Sequence, residues 1–285
     1  MGEYIKNRVA LVFHAYQPNK AASELLEVAL KSALKFKFKD VDIWVSDLGS
    51  PASKHEITNR NFTEVNFLES DYIPRSWENL TGWKVSLAKF LKFPPPRHGA
   101  YAAGCTMDFA IQRFREINYK PEFILCLHMD IMFTNKESID VLRKKLQQNH
   151  QLCAAGYLEQ LNYSKKYKTL SPTGCMWRSK FVFEKHFSFK PKFPDFDMGE
   201  WAIQHCCEKG YQIASLKNSY SHPEIINDLP LRFRELNNVD RAIDENGNVM
   251  FIHLGRGLPK AMGRYKAKGK TRPERWRNWF DRHLL

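Results

Sequence analysis

The amino-acid sequence predicts an α/β fold: a mostly parallel central sheet flanked by helices, with a small antiparallel addition near the C-terminus. Three observations carry that expectation. Short apolar runs rich in β-branched and aromatic residues alternate with longer segments whose apolar residues recur every three or four positions. The run Val9-Ala10-Leu11-Val12-Phe13 is continuously apolar, as in a strand covered on both faces. Late in the chain, Glu245-Asn246-Gly247-Asn248 reads as a hairpin turn leading into Val249-Met250-Phe251-Ile252. With 285 residues, 43% hydrophobic and 26% charged, the composition is that of a globular chain and excludes a disordered one. No internal repeat or low-complexity linker divides it. The expected organisation is one domain over residues 1–265 and a basic, aromatic tail over 266–285.

Each element has its own signal. After the first strand, Ser23 can cap a helix whose Leu26, Leu30 and Leu34 recur every four residues. Val41, Ile43 and Val45 alternate toward one face of a second strand, with Asp47 just past its end before Gly49-Ser50-Pro51. Residues 51–98 are polar and in places Pro-rich, including Pro94-Pro95-Pro96, and read as loops and short helices. Met107, Ala110, Ile111, Phe114 and Ile117 mark another amphipathic helix, and residues 123–127 form the most apolar strand. A helical stripe (Ile139, Leu142, Leu146), a strand over 152–155, a helix over about 199–208 ending at Gly210, and a strand over 211–216 follow.

The net charge of +13 favours polyanionic company, whether nucleic acid, an anionic membrane or phosphorylated substrates. A nucleic-acid-binding role finds no motif, and the cations are dispersed along the chain, so no nucleic acid partner is expected. A sugar nucleotidyltransferase needs a Gly-rich loop after the first strand, and His14-Ala15-Tyr16-Gln17-Pro18 has no glycine. The six cysteines are too few for a disulfide scaffold and make no C-x-x-C pair; adjacent Cys206 and Cys207 read as helix-packing thiols. No targeting signal or spanning apolar stretch is visible. The N-terminal Met-Gly is followed by Lys6 where a myristoylation motif has Ser or Thr, so a soluble, cytoplasmic protein is expected.

Ligands of open α/β sheets gather at the carboxyl ends of strands. Three polar groups fall there: His14 with Tyr16, Asp47, and His128 with Asp130. A carboxylate straight after five apolar residues is costly to bury unless paired or bound to metal, so Asp130 is the most informative; the competing reading is a turn cap. Asp197 and Glu200, three apart at a helix start, suit a general base and its partner, or simply a helix cap. His253 ends an apolar strand before Leu254-Gly255-Arg256-Gly257, where Gly-Arg-Gly lets a guanidinium approach a phosphate; His222 competes with it as a metal ligand.

The order of these pieces resembles the GT-A glycosyltransferases, especially the family 2-like group. The segment through Ser32-Ala33-Leu34 and Val41-Asp42-Ile43-Trp44-Val45-Ser46-Asp47-Leu48-Gly49-Ser50 is similar to that family's opening helix and Val-x-Asp-x-Gly-Ser strand end. Residues 123–133 resemble the strand carrying the Asp-x-Asp motif, with His128 at the first acidic position and Asp130 at the second. Thr173-Gly174-Cys175-Met176-Trp177-Arg178 is similar to the acceptor-side segment, and Phe196-Asp197-Met198-Gly199-Glu200-Trp201 to the acidic helix start. The resemblance spans residues 8 to 257.

It implies a glycosyltransferase that moves a sugar from a nucleotide-diphosphate donor to a glycan or lipid-diphosphate-linked acceptor. His14, Tyr16, Asp47 and Arg256 would face the nucleotide sugar, Thr173, Gly174 and Trp177 the acceptor, and Asp197 or Glu200 would be the base of an inverting transfer. Asp130, His253 and His128 would hold Mn²⁺ or Mg²⁺. His128 in place of an acidic residue makes that site less charged than the family's. In the tail, Trp276, Trp279, Phe280 and Leu284 recur at helical spacing behind Lys266, Lys268, Lys270 and Arg272. That stripe either lies in an anionic membrane interface on the cytoplasmic side or packs back on the domain.

Overall fold

The computed structural model describes residues 3–51, 62–76, 83–92, 99–162, 167–263 and 271–285. These build a seven-stranded sheet in the order β10-β6-β9-β4-β1-β2-β3. The strands are β1 (Ile5–Ala15), β2 (Val41–Leu48), β3 (Val65–Ser70), β4 (Pro121–His128), β6 (Leu152–Gly156), β9 (Cys175–Arg178) and β10 (Gln212–Ser215). All neighbours run parallel except β9, which is antiparallel to both β4 and β6. A smaller antiparallel sheet joins β11 (Lys217–Asn218), β12 (Asp240–Ile243), β13 (Val249–His253) and β5 (Ile131–Phe133). A hairpin of β7 (Glu159–Asn162) and β8 (Tyr167–Leu170) stands beside them. The mostly parallel sheet with its late antiparallel addition is the architecture expected from the sequence.

Period-two alternation explains why the central strands are apolar throughout. Along β1, Val9, Leu11 and Phe13 enter one core while Ala10 and Val12 enter the other. Strand β4 divides likewise, with Phe123, Leu125 and Leu127 on the first face and Ile124 and Cys126 on the second. The Lys20–Lys35 helix covers the first face through Leu25, Leu26, Ala29 and Leu30. The Gly99–Glu116 helix covers the second through Met107, Ala110, Ile111 and Phe114.

Several local expectations are corrected. The first helix starts at Lys20, and its cap is Asn19, whose side chain accepts from the Ala22 N–H at 2.9 Å; Ser23 donates back to the Asn19 carbonyl. Strand β2 runs to Leu48, so Asp47 lies within its end. The segment read as loops and short helices does hold a short helix, over Trp83–Phe90, but also the unexpected strand β3. Pro94-Pro95-Pro96 lie outside the described residues. The helix ending near Gly210 is as expected, with Gly210 left-handed at φ +87.

The tail's aromatic stripe faces inward. Trp276, Trp279 and Phe280 of the Pro273–His283 helix are buried in the first core, which they share with the Lys20–Lys35 helix. Arg277 pairs with Glu24 of that helix at 3.2 Å, and the Trp279 indole donates to the Arg232 carbonyl at 2.7 Å. This helix therefore has no exposed aromatic stripe with which to enter a membrane; Lys266, Lys268 and Lys270 lie outside the described residues. We expect Trp279→Ala to lower stability by about 3–5 kcal/mol in urea unfolding, as a lost core ring does, whereas a solvent-facing tail would leave the midpoint unmoved.

Candidate metal centre

Strands β1 and β4 pair with His14 opposite His128, so two imidazoles leave neighbouring strands at one level, ring centroids 4.2 Å apart. The chain then turns through Met129 and Asp130 into β5. Strand β13 lies between β5 and β12, placing His253 opposite both Ile131 and Asp240. Asp130, 3% exposed, is reached from all sides. Its carbonyl accepts from the Leu254 N–H at 2.9 Å and its Oδ2 from the Gly257 N–H at 2.8 Å. Its Oδ1 lies 3.4 Å from His253 Nε2 and 3.8 Å from His128 Nδ1. His253 Nδ1 is 3.1 Å from Asp240 Oδ2, so His253 stands between two carboxylates.

Electrostatics sort these groups by charge. Burial pushes the pKa of His14 well down, with His128 adding to the effect. Burial also lowers His128, to about 4, helped by charge on His253 and opposed by Asp130. Burial would lower His253 too, but Asp130 and Asp240 outweigh it and raise it to about 10. Burial alone would raise Asp130; the charge of His253 beside it, then that of His128 and the Gly257 N–H, hold it well below the usual carboxylate range. The upward shift of His253 follows from its place between two carboxylates.

The donor set fits a divalent cation. One ligand atom from each of His128, Asp130 and His253 comes within 4.8 Å of the others, and among the described residues no other His, Cys, Asp or Glu side chains form such a group. His14 Nδ1, His128 Nε2 and His253 Nε2 are buried with no hydrogen-bond partner, a costly state for polar atoms. Asp240 behind His253 is the carboxylate–imidazole arrangement that orients a metal-bound histidine.

The cluster floors a cleft of about 770 Å³ whose walls include Tyr16, Ala102, Thr106, Tyr220 and Lys260. Arg256, an exposed residue, also lines it, on left-handed backbone at φ +53 beside Gly255 at φ +65. Gly257 is required for space: a Cβ there would stand 2.4 Å from Asp130 Cβ and 2.6 Å from its Oδ2.

Of the residues singled out by sequence, His14, Tyr16, His128, Asp130, His253 and Arg256 meet at the cleft. The others are placed elsewhere. Asp47 is fully buried; its Oδ2 accepts from Gln17 Nε2 at 2.9 Å and from Ser50 Oγ at 2.7 Å, tying the β1 loop to the end of β2. Thr173 Oγ1 accepts the His128 N–H at 3.0 Å, and Gly174, at φ +76, donates to the Cys126 carbonyl. Trp177 is a core residue against Phe187 and Phe189, away from the cleft lining. Glu200 is buried and caps its own helix start, its Oε2 accepting the Asp197 N–H at 2.7 Å. Asp197 is exposed and accepts from the Met198 N–H. Neither carboxylate lines the cleft. His222 is exposed beside Glu224 and takes no part in the cluster.

Sequence reasoning missed Asp240, and it read Gly257 as a flank of Arg256 and not as the close neighbour of Asp130. The signal for Asp240 was the hairpin: counting back from the turn at residues 245–248 brings the partner of His253 to Asp240. Gly257→Ala should reduce Mn²⁺ affinity at least about tenfold in calorimetric titration by displacing Asp130; unchanged affinity would mean that this carboxylate is no ligand.

No family model matches the chain, and no curated protein does. Among solved structures it is similar to the mannosyltransferase PcManGT of Pyrobaculum calidifontis in complex with GDP-Man and Mn²⁺, at 11% identity and TM-score 0.48, over 73% of this chain and 54% of that one. TarS 1–349 of S. aureus in complex with UDP-GlcNAc follows at 14% identity and TM-score 0.45, over 73% and 56%. Glucosyl-3-phosphoglycerate synthase of Mycobacterium tuberculosis, in complex with Mn²⁺, UDP and phosphoglyceric acid, is similar at 11% identity and TM-score 0.43, over 74% and 68%. The chain thus spans a little over half the length of the first two.

Proposed function

We propose that this chain transfers a sugar from a nucleoside-diphosphate donor to a hydroxyl group, with a divalent ion held by His128, Asp130 and His253. The observation that carries this reading is the buried carboxylate–imidazole cluster, set at the carboxyl ends of β1 and β4 on the floor of a large cleft. A diphosphate needs positive charge, and the cleft offers an ion site at its floor and the Arg256 guanidinium along its wall. When the bond from the anomeric carbon breaks, negative charge collects on the departing diphosphate. A bound divalent ion supplies stabilisation of that charge, worth several kcal/mol in such sites.

The chain's own residues take the remaining roles in this reading. His14 and Tyr16 line the wall where a donor would lie. Asp47 acts at one remove, holding Gln17 and Ser50 and so the loop after β1. Thr173 fixes the His128 backbone, and Gly174 fits against Tyr157 where a Cβ would stand 2.5 Å from the ring. Of the two candidate bases, Asp197 is the one we assign, because it is exposed whereas Glu200 is buried against the Asp197 N–H. The Gly99–Glu116 helix relates the two regions: Ala102 and Thr106 face the cleft, while Asp108 holds the Phe189 N–H of the segment leading to Gly199. One base suffices for a single displacement with inversion. The acceptor in this reading is a glycan or lipid-diphosphate-linked glycan met at the cytoplasmic side of a membrane; Arg275, exposed on the Pro273–His283 helix, offers charge to such an anion.

Two measurements test the proposal. A panel of nucleotide sugars with Mn²⁺ should contain one that stabilises the protein by about 2.7 kcal/mol at a hundred times its Kd, and Asp130→Ala should abolish the effect. If no nucleotide sugar stabilises it at millimolar concentration, the reading fails. Asp197→Asn should remove turnover while donor affinity stays within about twofold, and Glu200→Ala should instead cost about 1 kcal/mol of stability through the lost acceptor for the Asp197 N–H. Full turnover in Asp197→Asn would remove it as the base.

A further inference from the structure

We propose that His14 joins His128, Asp130 and His253 in a set of three imidazoles and one carboxylate, and that this set selects a first-row transition ion over Mg²⁺. The inference deepens the metal-assisted reading above and rests on it for the presence of an ion. His14 and His253 are each 8% exposed, yet His14 Nδ1 and His253 Nε2 have no hydrogen-bond partner, and neither does His128 Nε2. These three nitrogens come from three strands, β1, β4 and β13. The His128 ring lies 4.2 Å from that of His14 and 5.6 Å from that of His253, centroid to centroid. His14 stands beside the group formed by His128, Asp130 and His253 and not within it, and its buried Nδ1, like His128 Nε2 and the His253 Nε2 that faces Asp130 Oδ1 at 3.4 Å, is a lone pair that one common acceptor would answer. His14 completes the set by rotation of its side chain from a strand position that the β1–β4 register already fixes.

Donor chemistry then decides the ion. Mg²⁺ takes oxygen ligands in a near-ideal octahedron and keeps several waters, and this floor offers it one carboxylate. Imidazole nitrogen suits borderline transition ions, whose affinities for such sites rise along the series from Mn²⁺ to Cu²⁺. Asp240, 3.1 Å from His253 Nδ1, is engaged by the far side of the ring and leaves Nε2 toward the site.

The test uses the full chain and the metal alone, without donor. Co²⁺ titration should produce visible ligand-field bands that about a hundredfold excess of Mg²⁺ leaves in place. His14→Asn should weaken Co²⁺ binding at least about tenfold and alter the bands. Circular dichroism checks that the variant folds; should it not, spin-echo modulation of the Cu²⁺-loaded wild type counts coordinated imidazoles, with three expected. Displacement of Co²⁺ by equimolar Mg²⁺, a count of two imidazoles, or unchanged binding and bands in folded His14→Asn would each overturn the proposal. Failure of sugar transfer looks different: the site would hold Co²⁺ as described while no nucleotide sugar bound.

Discussion

Asp130 lies where the two sheets meet, and a carboxylate at that depth must be matched from several directions at once. From the chain after β13 the Gly257 N–H donates to the carboxylate Oδ2 and the Leu254 N–H to the main-chain carbonyl of Asp130, and two imidazoles approach Oδ1. Each contact fixes another part of the molecule. Gly257 must lack a side chain because the carboxylate fills that space, and Asp240 must answer His253 across the β12–β13 pairing. Thr173 holds the backbone of His128 so that β4 ends at the right height. The small antiparallel sheet is thus more than a late decoration. It carries β13, and with it the histidine and the loop that close over the floor of the cleft.

Much of this was legible in the sequence because strand ends concentrate polar residues in an otherwise apolar run. His14, His128, Asp130 and His253 each follow or close such a run, and all four converge. Asp240 was harder to see because it opens a short strand and gains its role only from register with His253. Strand β3 was missed because Val65–Ser70 is a half-exposed edge strand whose pattern is barely more apolar than the loops around it. The first helix was capped one turn early because Asn19, preceding the apolar stripe by several residues, has the side-chain oxygen at the required place. In the tail, the Trp276, Trp279 and Phe280 stripe was visible at helical spacing. Spacing gives a face and not its partner, and the partner is a helix some 250 residues away in sequence, met only through the fold. Asp47 and Glu200 show the same limit: a carboxylate at an element's end has equal reason to bind a ligand or to satisfy neighbouring donors, and here both carboxylates accept from their own chain.

The Gly255-Arg256-Gly257 segment joins these constraints to the chemistry. Two successive residues adopt left-handed backbone, which costs Arg256 of the order of 1 kcal/mol because its Cβ crowds the carbonyl. That reversal turns the Gly257 N–H toward Asp130 while Arg256 remains exposed on the cleft wall. A charge-assisted bond to a buried carboxylate, worth about 1.5–3 kcal/mol, offsets the strain. With glycine absent from either flank, the backbone could not both approach Asp130 and reverse. The local field follows from that geometry. Although the chain as a whole carries +13, its two cleft carboxylates, Asp130 and Asp240, draw a cation to the floor, while Arg256 and Lys260 stand on the walls. Positive charge is thereby offered at two depths, one dependent on a bound ion and one built into the chain, and in the reading proposed above that is the distribution a diphosphate with a departing sugar requires.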